Sequence, residues 1–314
     1  MNIVILSVRY ATDTNYTTDK EETLTMKVLD AEFAKGFFRM CVDGFYQGWH
    51  ERNGGNASYR IKPEEVNEVR DDFGNGNGSF QTGEWQEIGT TVRTLSGEFF
   101  MVTGSGKFMR NIELEPEANV CILEVDETGT KYRIVWGLVK GGRPTSELPT
   151  HLMNLEVLKN RDARFRVVYH CHPTNIIALT YVLPLDSEIF TREIWEMATE
   201  CPIDFPEGIG VVPWMVCGGR EIGVKTSELM KKQKIVIWAH HGAFAAGYDF
   251  DETFGLMHTV EKAAEVLVKV MSINVYKRQT IEPDQIRQLG KTFGVDIDER
   301  FLYEKRPGAR IGER

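Results

Sequence analysis

The chain has 314 residues, of which 42% are hydrophobic, so it is long enough to bury a substantial core. Its formal charge of -9 and isoelectric point near 5.4 argue against a nucleic-acid partner, because binding to a phosphate backbone requires a concentrated basic surface. No stretch approaches the roughly 20 apolar residues that span a bilayer, so we expect no membrane partner.

The cysteines and the first residues indicate where the protein works. The five cysteines are Cys41, Cys121, Cys171, Cys201 and Cys217. They are scattered and form no C-x-x-C pair, which predicts neither a disulfide framework nor a thiolate zinc site and favours a cytoplasmic location. Residues 1–26 are polar and Thr-rich, and no signal peptide is predicted there. We interpret them as a weakly ordered extension, and residues 27–314 as one domain.

The first half of that domain is predicted to hold one long helix followed by strands. Apolar residues recur at helical spacing from Asp30 to His50, with Asp30 as the candidate N-cap. A Gly-rich turn then leads to a strand at residues 57–61, and the acidic, Gly-rich residues 63–90 are predicted to form a loop or hairpin tip. Three further strands are predicted at residues 99–103, 119–125 and 131–136, the last two joined as a hairpin.

The second half alternates between helical and extended patterns. Helices are predicted at residues 145–159, 175–182, 187–200, 251–271 and from Pro283, and strands at residues 164–172 and 234–239. Strands with interspersed helices and several hairpins are typical of an α/β protein. We therefore expect a three-layer α/β/α domain with a largely antiparallel, mixed central sheet.

His170 and His172 form the first candidate site. Side chains two residues apart in an extended segment point to one face, so the two imidazoles would meet at one point. Pro173 ends the strand, which places both rings at the edge of the sheet, where clefts form. This spacing indicates a metal site, and its alternative is a pair of histidines satisfied by hydrogen bonds.

A second histidine pair, His240 and His241, follows a β-branched run and precedes Gly242. A third imidazole would complete three neutral nitrogen ligands and leave an open position, which is the pattern of catalytic zinc. Neighbours in an extended chain point in opposite directions, so we expect only one of the two to bind the metal. We interpret the remaining His50 and His258 as ordinary helix residues without a catalytic role.

The run from Pro144 to His151 supplies a candidate acid/base group. Thr145 and Ser146 are predicted to cap a helix, and their hydroxyls and the free N–H groups of its first turn would bind an anion. Glu147 would project from that first turn, where a carboxylate beside a metal can move a proton at carbon. His151, four residues later, would either hydrogen-bond this carboxylate or pack, and we favour a supporting role.

Several runs of this sequence together resemble one known family. They are 51–56 (ERNGGN), 103–108 (TGSGKF), 144–151 (PTSELPTH), 170–175 (HCHPTN), 195–196 with 199–201 (WE and TEC), 213–215 (PWM) and 241–242 (HG). In this order they resemble the rhamnulose-1-phosphate aldolases of the class II aldolase and adducin-like family. The resemblance covers about residues 30–300.

The resemblance implies a reaction and a set of site residues. The reaction is the zinc-dependent cleavage of the phosphorylated ketose L-rhamnulose 1-phosphate into dihydroxyacetone phosphate and L-lactaldehyde, in L-rhamnose catabolism. The resemblance implies that His170, His172 and His241 bind one Zn²⁺ per subunit, that Glu147 is the acid/base and that Glu200 is a second catalytic carboxylate. It also implies that the phosphate is bound by Asn53, Asn56, Ser105, Thr145 and Ser146. The resemblance also implies a homotetramer, in which Glu200 reaches the site from a neighbouring subunit.

Three other functions compete with this interpretation. A pentulose-5-phosphate 4-epimerase shares the retro-aldol chemistry and the family, but the Asn-Gly-Gly-Asn and Thr-Glu-Cys runs favour the aldolase. A non-catalytic, adducin-like binding domain would fit a chain without the three histidines. A zinc hydrolase that uses Glu147 as base would leave the phosphate-type residues unexplained, and it predicts hydrolysis without an aldehyde product.

Overall fold

The computed structural model describes residues 26–74, 84–273, 277 and 279–303. The predicted N-terminal extension lies outside the described residues, apart from Met26. No helix in the described part of the chain is both long enough and apolar enough to span a membrane.

Helices and strands are interspersed along the chain. The helices are α1 Glu32–Tyr46, α2 Pro63–Val69, α3 Pro116–Asn119, α4 Leu148–Arg161, α5 Thr174–Leu179, α6 Ser187–Trp195, α7 Cys201–Asp204, α8 Arg220–Met230, α9 Phe250–Ile273 and α10 Pro283–Phe293. The strands are β1 Asn56–Arg60, β2 Gln86–Glu87, β3 Phe99–Thr103, β4 Val120–Val125, β5 Lys131–Gly137, β6 Val167–Cys171, β7 Ile209–Val212, β8 Ile235–Trp238 and β9 Gly242–Gly247.

The described strands form one nine-stranded sheet in the order β2-β5-β4-β3-β1-β6-β9-β8-β7. Every neighbouring pair is antiparallel except β7 and β8, which are parallel. The central strands β1 and β6 pair so that Asn56 lies opposite His170, and β6 pairs in turn with β9. This register places the beginning of β1 and the end of β6 at the same edge of the sheet.

Two apolar cores cover the two faces of the sheet. One face packs against α1, α5, α6 and α9, with Tyr59 and Tyr169 among its buried side chains. The other packs against α4 and α8, with Val168 and Trp238 buried there. Residues of one strand alternate between these cores because successive side chains point to opposite faces. The predicted three-layer α/β/α arrangement with a largely antiparallel mixed sheet is confirmed.

Most predicted elements are present, but several details were wrong. Residues 63–90 hold α2 and the short strand β2 as well as loop, because Pro63 begins a helix and Glu65 accepts a hydrogen bond from the Lys62 N–H. Asp30 does not cap α1, whose N-cap is Ala31 and makes no side-chain capping bond. The helix predicted at residues 187–200 ends at Trp195, and Glu200 precedes the separate short helix α7.

Candidate active site

Three histidines meet at the edge of the sheet. His170 lies in β6, His172 follows that strand by one residue, and His241 lies in the turn between β8 and β9. One ring nitrogen of each lies within 4.8 Å of one ring nitrogen of the other two. The ring centroids are 5.2 Å apart for His170 and His172, 5.1 Å for His170 and His241, and 4.9 Å for His172 and His241.

Hydrogen bonds leave the Nε2 atoms of two of these rings free. His170 Nδ1 lies 3.0 Å from the Ala243 carbonyl oxygen, to which it donates, and His172 Nδ1 donates to Glu51 Oε1 at 2.7 Å. In both rings Nε2 is buried and has no hydrogen-bond partner among the described residues. Burying a nitrogen lone pair without a partner costs free energy. These two nitrogens therefore fit a divalent metal ion as their partner.

Burial also favours the neutral form, which binds metal, in His170 and His241. It lowers the pKa of His170 well below its usual value and lowers the pKa of His241 to about 4. Neighbouring imidazoles act in the same direction. Neutral imidazoles are the form that donates a lone pair to a cation.

The turn between β8 and β9 explains why only one of its two histidines joins the cluster. His240 adopts a left-handed backbone conformation with φ 62°, and both its backbone N–H and its ring contact the Thr180 hydroxyl at 3.0 Å. The two histidines therefore lie in a turn, not in the extended segment that was predicted. Gly242 is required next to them, because a Cβ there would lie 2.4 Å from the Cys171 carbonyl oxygen and 2.8 Å from His172 Cδ2.

Glu147 lies beside the histidines, in a position that differs from the predicted one. It is the N-cap residue of α4, with φ -92° and ψ 11°, and does not project from the first turn. Its Oε2 is 3.7 Å from His170 Nε2, and the residue is only 6% exposed. Burial raises the pKa of Glu147 to about 7, against the opposing hydrogen bond from Asn56. A carboxyl group with such a pKa can both hold and release a proton near neutrality.

Most residues predicted to bind phosphate lie in the segments before β1, after β3 and before α4. A bridge between Gly104 and Pro144 brings the turn after β3 against the segment before α4. The Ser105 N–H donates to the Arg143 carbonyl oxygen at 2.8 Å, and the Thr145 N–H donates to the Thr103 carbonyl oxygen at 2.9 Å. Thr145 is buried and Ser146 is exposed. Neither caps α4 as predicted: Thr145 Oγ1 instead accepts a hydrogen bond from the Glu147 N–H at 3.3 Å.

The two asparagines of the 51–56 run differ in their surroundings. Asn53 is exposed, in the loop before β1, whereas Asn56 is buried and donates from Nδ2 to Glu147 Oε2 at 3.1 Å. Gly55 between them has φ 74°, and a Cβ there would lie 2.7 Å from the His170 carbonyl oxygen. The glycines thus let this loop lie directly against the histidine strand.

The second carboxylate, Glu200, is not part of this cluster within one chain. It is exposed at the N-cap of α7 and lines a surface hollow of about 360 Å³ together with His258 and Lys262 of α9. Among the described residues, the acidic group that clusters with the active-site histidine His241 is Glu147.

Three residues of the site escaped the analysis of the sequence. Cys217 is the exposed cysteine, and its Sγ lies within 4.8 Å of ligand atoms of both Glu147 and His241. Its nearness to the PWM run was the available signal. Glu51 is the first residue of the 51–56 run, in which only Asn53 and Asn56 were predicted to be site residues. His50 was interpreted as a helix residue, but it lies beyond α1, buried, with Nε2 2.6 Å from the Tyr169 hydroxyl.

Comparison with known proteins agrees with this geometry. The profile of the class II aldolase and adducin N-terminal domain matches residues 37–268. Rhamnulose-1-phosphate aldolase of Mannheimia succiniciproducens is 46% identical over 269 residues, which is 85% of this chain and 96% of that protein. Rhamnulose-1-phosphate aldolase of Escherichia coli O9:H4 is 45% identical over 264 residues, covering 84% of this chain and 94% of that protein.

Solved structures share the fold of this chain. A sugar-phosphate aldolase from Thermotoga maritima superimposes with a TM-score of 0.63 at 28% identity, over 77% of this chain and 95% of that one. YgbL from Klebsiella pneumoniae, described as a putative aldolase, epimerase or decarboxylase, superimposes with a TM-score of 0.57 at 14% identity, over 84% of this chain and 99% of that one, which shows the shared fold.

Proposed function

This chain belongs to the class II aldolase and adducin family and is an aldolase, and from that premise we propose that it cleaves L-rhamnulose 1-phosphate with the help of Zn²⁺. The products would be dihydroxyacetone phosphate and L-lactaldehyde, in L-rhamnose catabolism. The observation that carries this proposal is the cluster of three histidines with a buried glutamate 3.7 Å from one of them, in a chain whose relatives bear that enzyme's name.

His170, His172 and His241 would hold the metal ion. The bare, buried Nε2 atoms of His170 and His172 and a ring nitrogen of His241 would supply three ligands and leave a coordination position open, which is the pattern of catalytic zinc. When bound, the ion supplies Lewis-acid stabilisation of negative charge on the ketose oxygens. Glu51 fixes the orientation of the His172 ring, since its carboxylate accepts the hydrogen bond from Nδ1.

Glu147 would supply the proton transfer at carbon. After the C3–C4 bond breaks, C3 of the dihydroxyacetone phosphate fragment needs a proton. In the reverse direction the same carboxylate would remove it. The raised pKa of Glu147 suits both directions because neither protonation state is strongly preferred near neutrality.

The phosphate would be bound by hydroxyl and carboxamide groups from Asn53, Asn56, Ser105, Thr145 and Ser146. These groups are neutral, so they would hold the substrate without placing a competing cation beside the developing negative charge. The Lys107 side chain runs past Gly104 and Gly142, next to the turn that carries Ser105.

We further propose that the enzyme is a homotetramer in which Glu200 enters the site of a neighbouring subunit. The exposure of Glu200, and its separation from the three histidines within one chain, support this arrangement. Residues 27–314 would form its single domain. The cytoplasmic location stays a prediction from the scattered cysteines.

The test is to incubate the purified protein with L-rhamnulose 1-phosphate and to follow dihydroxyacetone phosphate with a coupled reductase, with and without a chelator. The proposal predicts release that the chelator abolishes and added Zn²⁺ restores. No release from folded, zinc-loaded protein would refute it, and interconversion of pentulose 5-phosphates by the same sample would identify an epimerase instead.

A further inference from the structure

A chain of hydrogen bonds runs from the protein interior to Glu147. Ser58 Oγ lies 2.7 Å from His151 Nδ1. On its other side, His151 Nε2 is hydrogen-bonded to Asn56 Oδ1, and Asn56 Nδ2 lies 3.1 Å from Glu147 Oε2. Ser58 and His151 are 0% exposed, so neither can touch a substrate. Whatever these two residues do for the reaction, they do through Asn56 and Glu147.

Local structure brings the four residues together. Asn56 and Ser58 are two residues apart in β1 and therefore point to the same face of the sheet. His151 lies in the first turn of α4 and Glu147 caps that helix, so both come from the layer packed on this face. Asn56 also lies opposite His170, which places this chain of hydrogen bonds directly beside the histidine cluster.

When Glu147 is ionised, the chemistry of the groups fixes the direction of every hydrogen bond in this series. The carboxylate only accepts, so Asn56 turns its Nδ2 toward Glu147 and its Oδ1 toward His151. His151 Nε2 then carries the hydrogen. Burial lowers the pKa of His151 to about 3, so the ring is neutral and its bare Nδ1 accepts from the Ser58 hydroxyl.

The hydrogen bond from His151 prevents the Asn56 amide from adopting the opposite orientation. If the Asn56 amide rotated by half a turn, its Oδ1 would face the Glu147 oxygens and repel them. The Nε2–H of His151 opposes this rotation, because it would then meet an N–H₂ group instead of an acceptor. One Nδ2 hydrogen of Asn56 remains available, so a contact with phosphate is compatible with this arrangement.

We propose that His151 and Ser58 are positioning residues, which hold the amide of Asn56 and thereby aim the Glu147 carboxylate at the reacting carbon. This inference rests on the proposed function for the role of Glu147. It assigns to Asn56 a second task besides phosphate binding, and it assigns a task in the reaction to two residues that the substrate does not reach.

The proton transfer can be measured apart from cleavage. In D₂O with dihydroxyacetone phosphate alone, the enzyme removes one hydrogen from C3 and returns deuterium, and NMR follows the exchange. His151→Leu removes the donor to Asn56, whereas His151→Gln offers an amide N–H in its place. Asn154→Leu is the matched control. It lies on the same helix, is 0% exposed, and has no hydrogen-bond partner for either amide atom among the described residues.

We expect His151→Leu to slow exchange and kcat by about 10- to 100-fold, because small misplacement of a reacting group is costly. KM and zinc content would stay within about twofold of the native protein by the same argument, since phosphate and metal contacts are retained. His151→Gln would recover most of the loss, and Asn154→Leu would behave as the native protein. Ser58→Ala, which removes one hydroxyl, would slow exchange by several-fold and serves if His151→Leu does not fold.

Three results would overturn the inference. The first is exchange in His151→Leu and Ser58→Ala equal to that in Asn154→Leu. The second is a raised KM at unchanged kcat, which would leave Asn56 with phosphate alone. The third is loss of zinc from both variants, which would show that His151 and Ser58 maintain the structure of the metal site and do not position Glu147. Native protein that neither exchanges nor cleaves would instead refute the proposed function.

Discussion

Glu147 and Glu200 were both predicted to be catalytic carboxylates, and the structure gives them opposite surroundings. Glu147 is 6% exposed, hydrogen-bonded to Asn56 and 3.7 Å from His170 Nε2. Glu200 is exposed in a hollow with His258 and Lys262, away from the three histidines. Burial raises the pKa of Glu147 against the hydrogen bond from Asn56, so residues of a single chain already adjust this carboxyl group. Glu200 would need a second chain to acquire a comparable environment.

The largest loss of activity is expected when one of the proposed metal ligands is removed. His241→Ala should remove the zinc and lower kcat/KM by at least about 10³-fold, because Lewis-acid stabilisation contributes several kcal/mol. Metal analysis and the coupled assay would measure both. The neighbouring His240→Asn is the matched control, since asparagine tolerates the left-handed backbone at that position. It should keep zinc and activity, and full activity in His241→Ala would show that the cluster is not the metal site.

Glu147→Gln should come next in size. The amide keeps the shape of the carboxyl group but cannot transfer a proton, so kcat should fall by roughly 10² to 10⁴, the usual contribution of general acid–base catalysis. Zinc content should not change, because the three histidines remain. A variant that keeps native kcat would remove Glu147 from the reaction, and one that loses zinc would make it a ligand.

Glu200→Ala tests the exposed carboxylate, and its effect on kcat should be smaller than that of Glu147→Gln. We expect kcat to fall by about 100-fold, the lower end of the usual contribution of general acid–base catalysis, because Glu200 does not carry the proton transfer at C3. Thermal unfolding and zinc content should match the native protein, because the side chain is exposed. Loss of zinc would identify Glu200 as a ligand or a structural residue and would contradict the assigned role.

The smallest effect is expected at Glu51, which contacts a ligand and not the metal. Glu51→Gln weakens the acceptor for the His172 Nδ1–H and should lower zinc affinity by about 10- to 100-fold, as for other residues that orient metal-binding histidines. Competition with a zinc indicator would measure the change. At saturating zinc, kcat should return to near the native value. A persistent loss of kcat would mean that Glu51 acts on the substrate.

The sequence predicted the fold and the grouping of the histidines because both depend on short-range rules. Alternation along β6 places His170 and His172 together, and the apolar periodicity of α9 is long enough to identify a helix. β7 and α8 were missed. The order of strands in the sheet could not be read either, since antiparallel pairing between distant segments leaves no local pattern.

The sequence did not predict details of the site where a single residue changes the direction of the backbone. The left-handed conformation of His240 turns the strand ends, which the assumption of an extended pair did not anticipate. The proline at 149 and the cap position of Glu147 shift the start of α4 by a few residues. The partner of His151 proved to be Asn56, which is 95 residues away along the chain, and not Glu147 at the expected helical spacing.

Mixing two impaired variants tests most directly whether the two glutamates meet at one site from different chains. Glu147→Gln and Glu200→Ala would be co-expressed, and the coupled assay would follow cleavage of L-rhamnulose 1-phosphate. If each site takes Glu147 from one subunit and Glu200 from its neighbour, random assembly leaves both intact in about one quarter of the sites, so about a quarter of the native activity should return. Activity no higher than the average of the two variants would contradict the account.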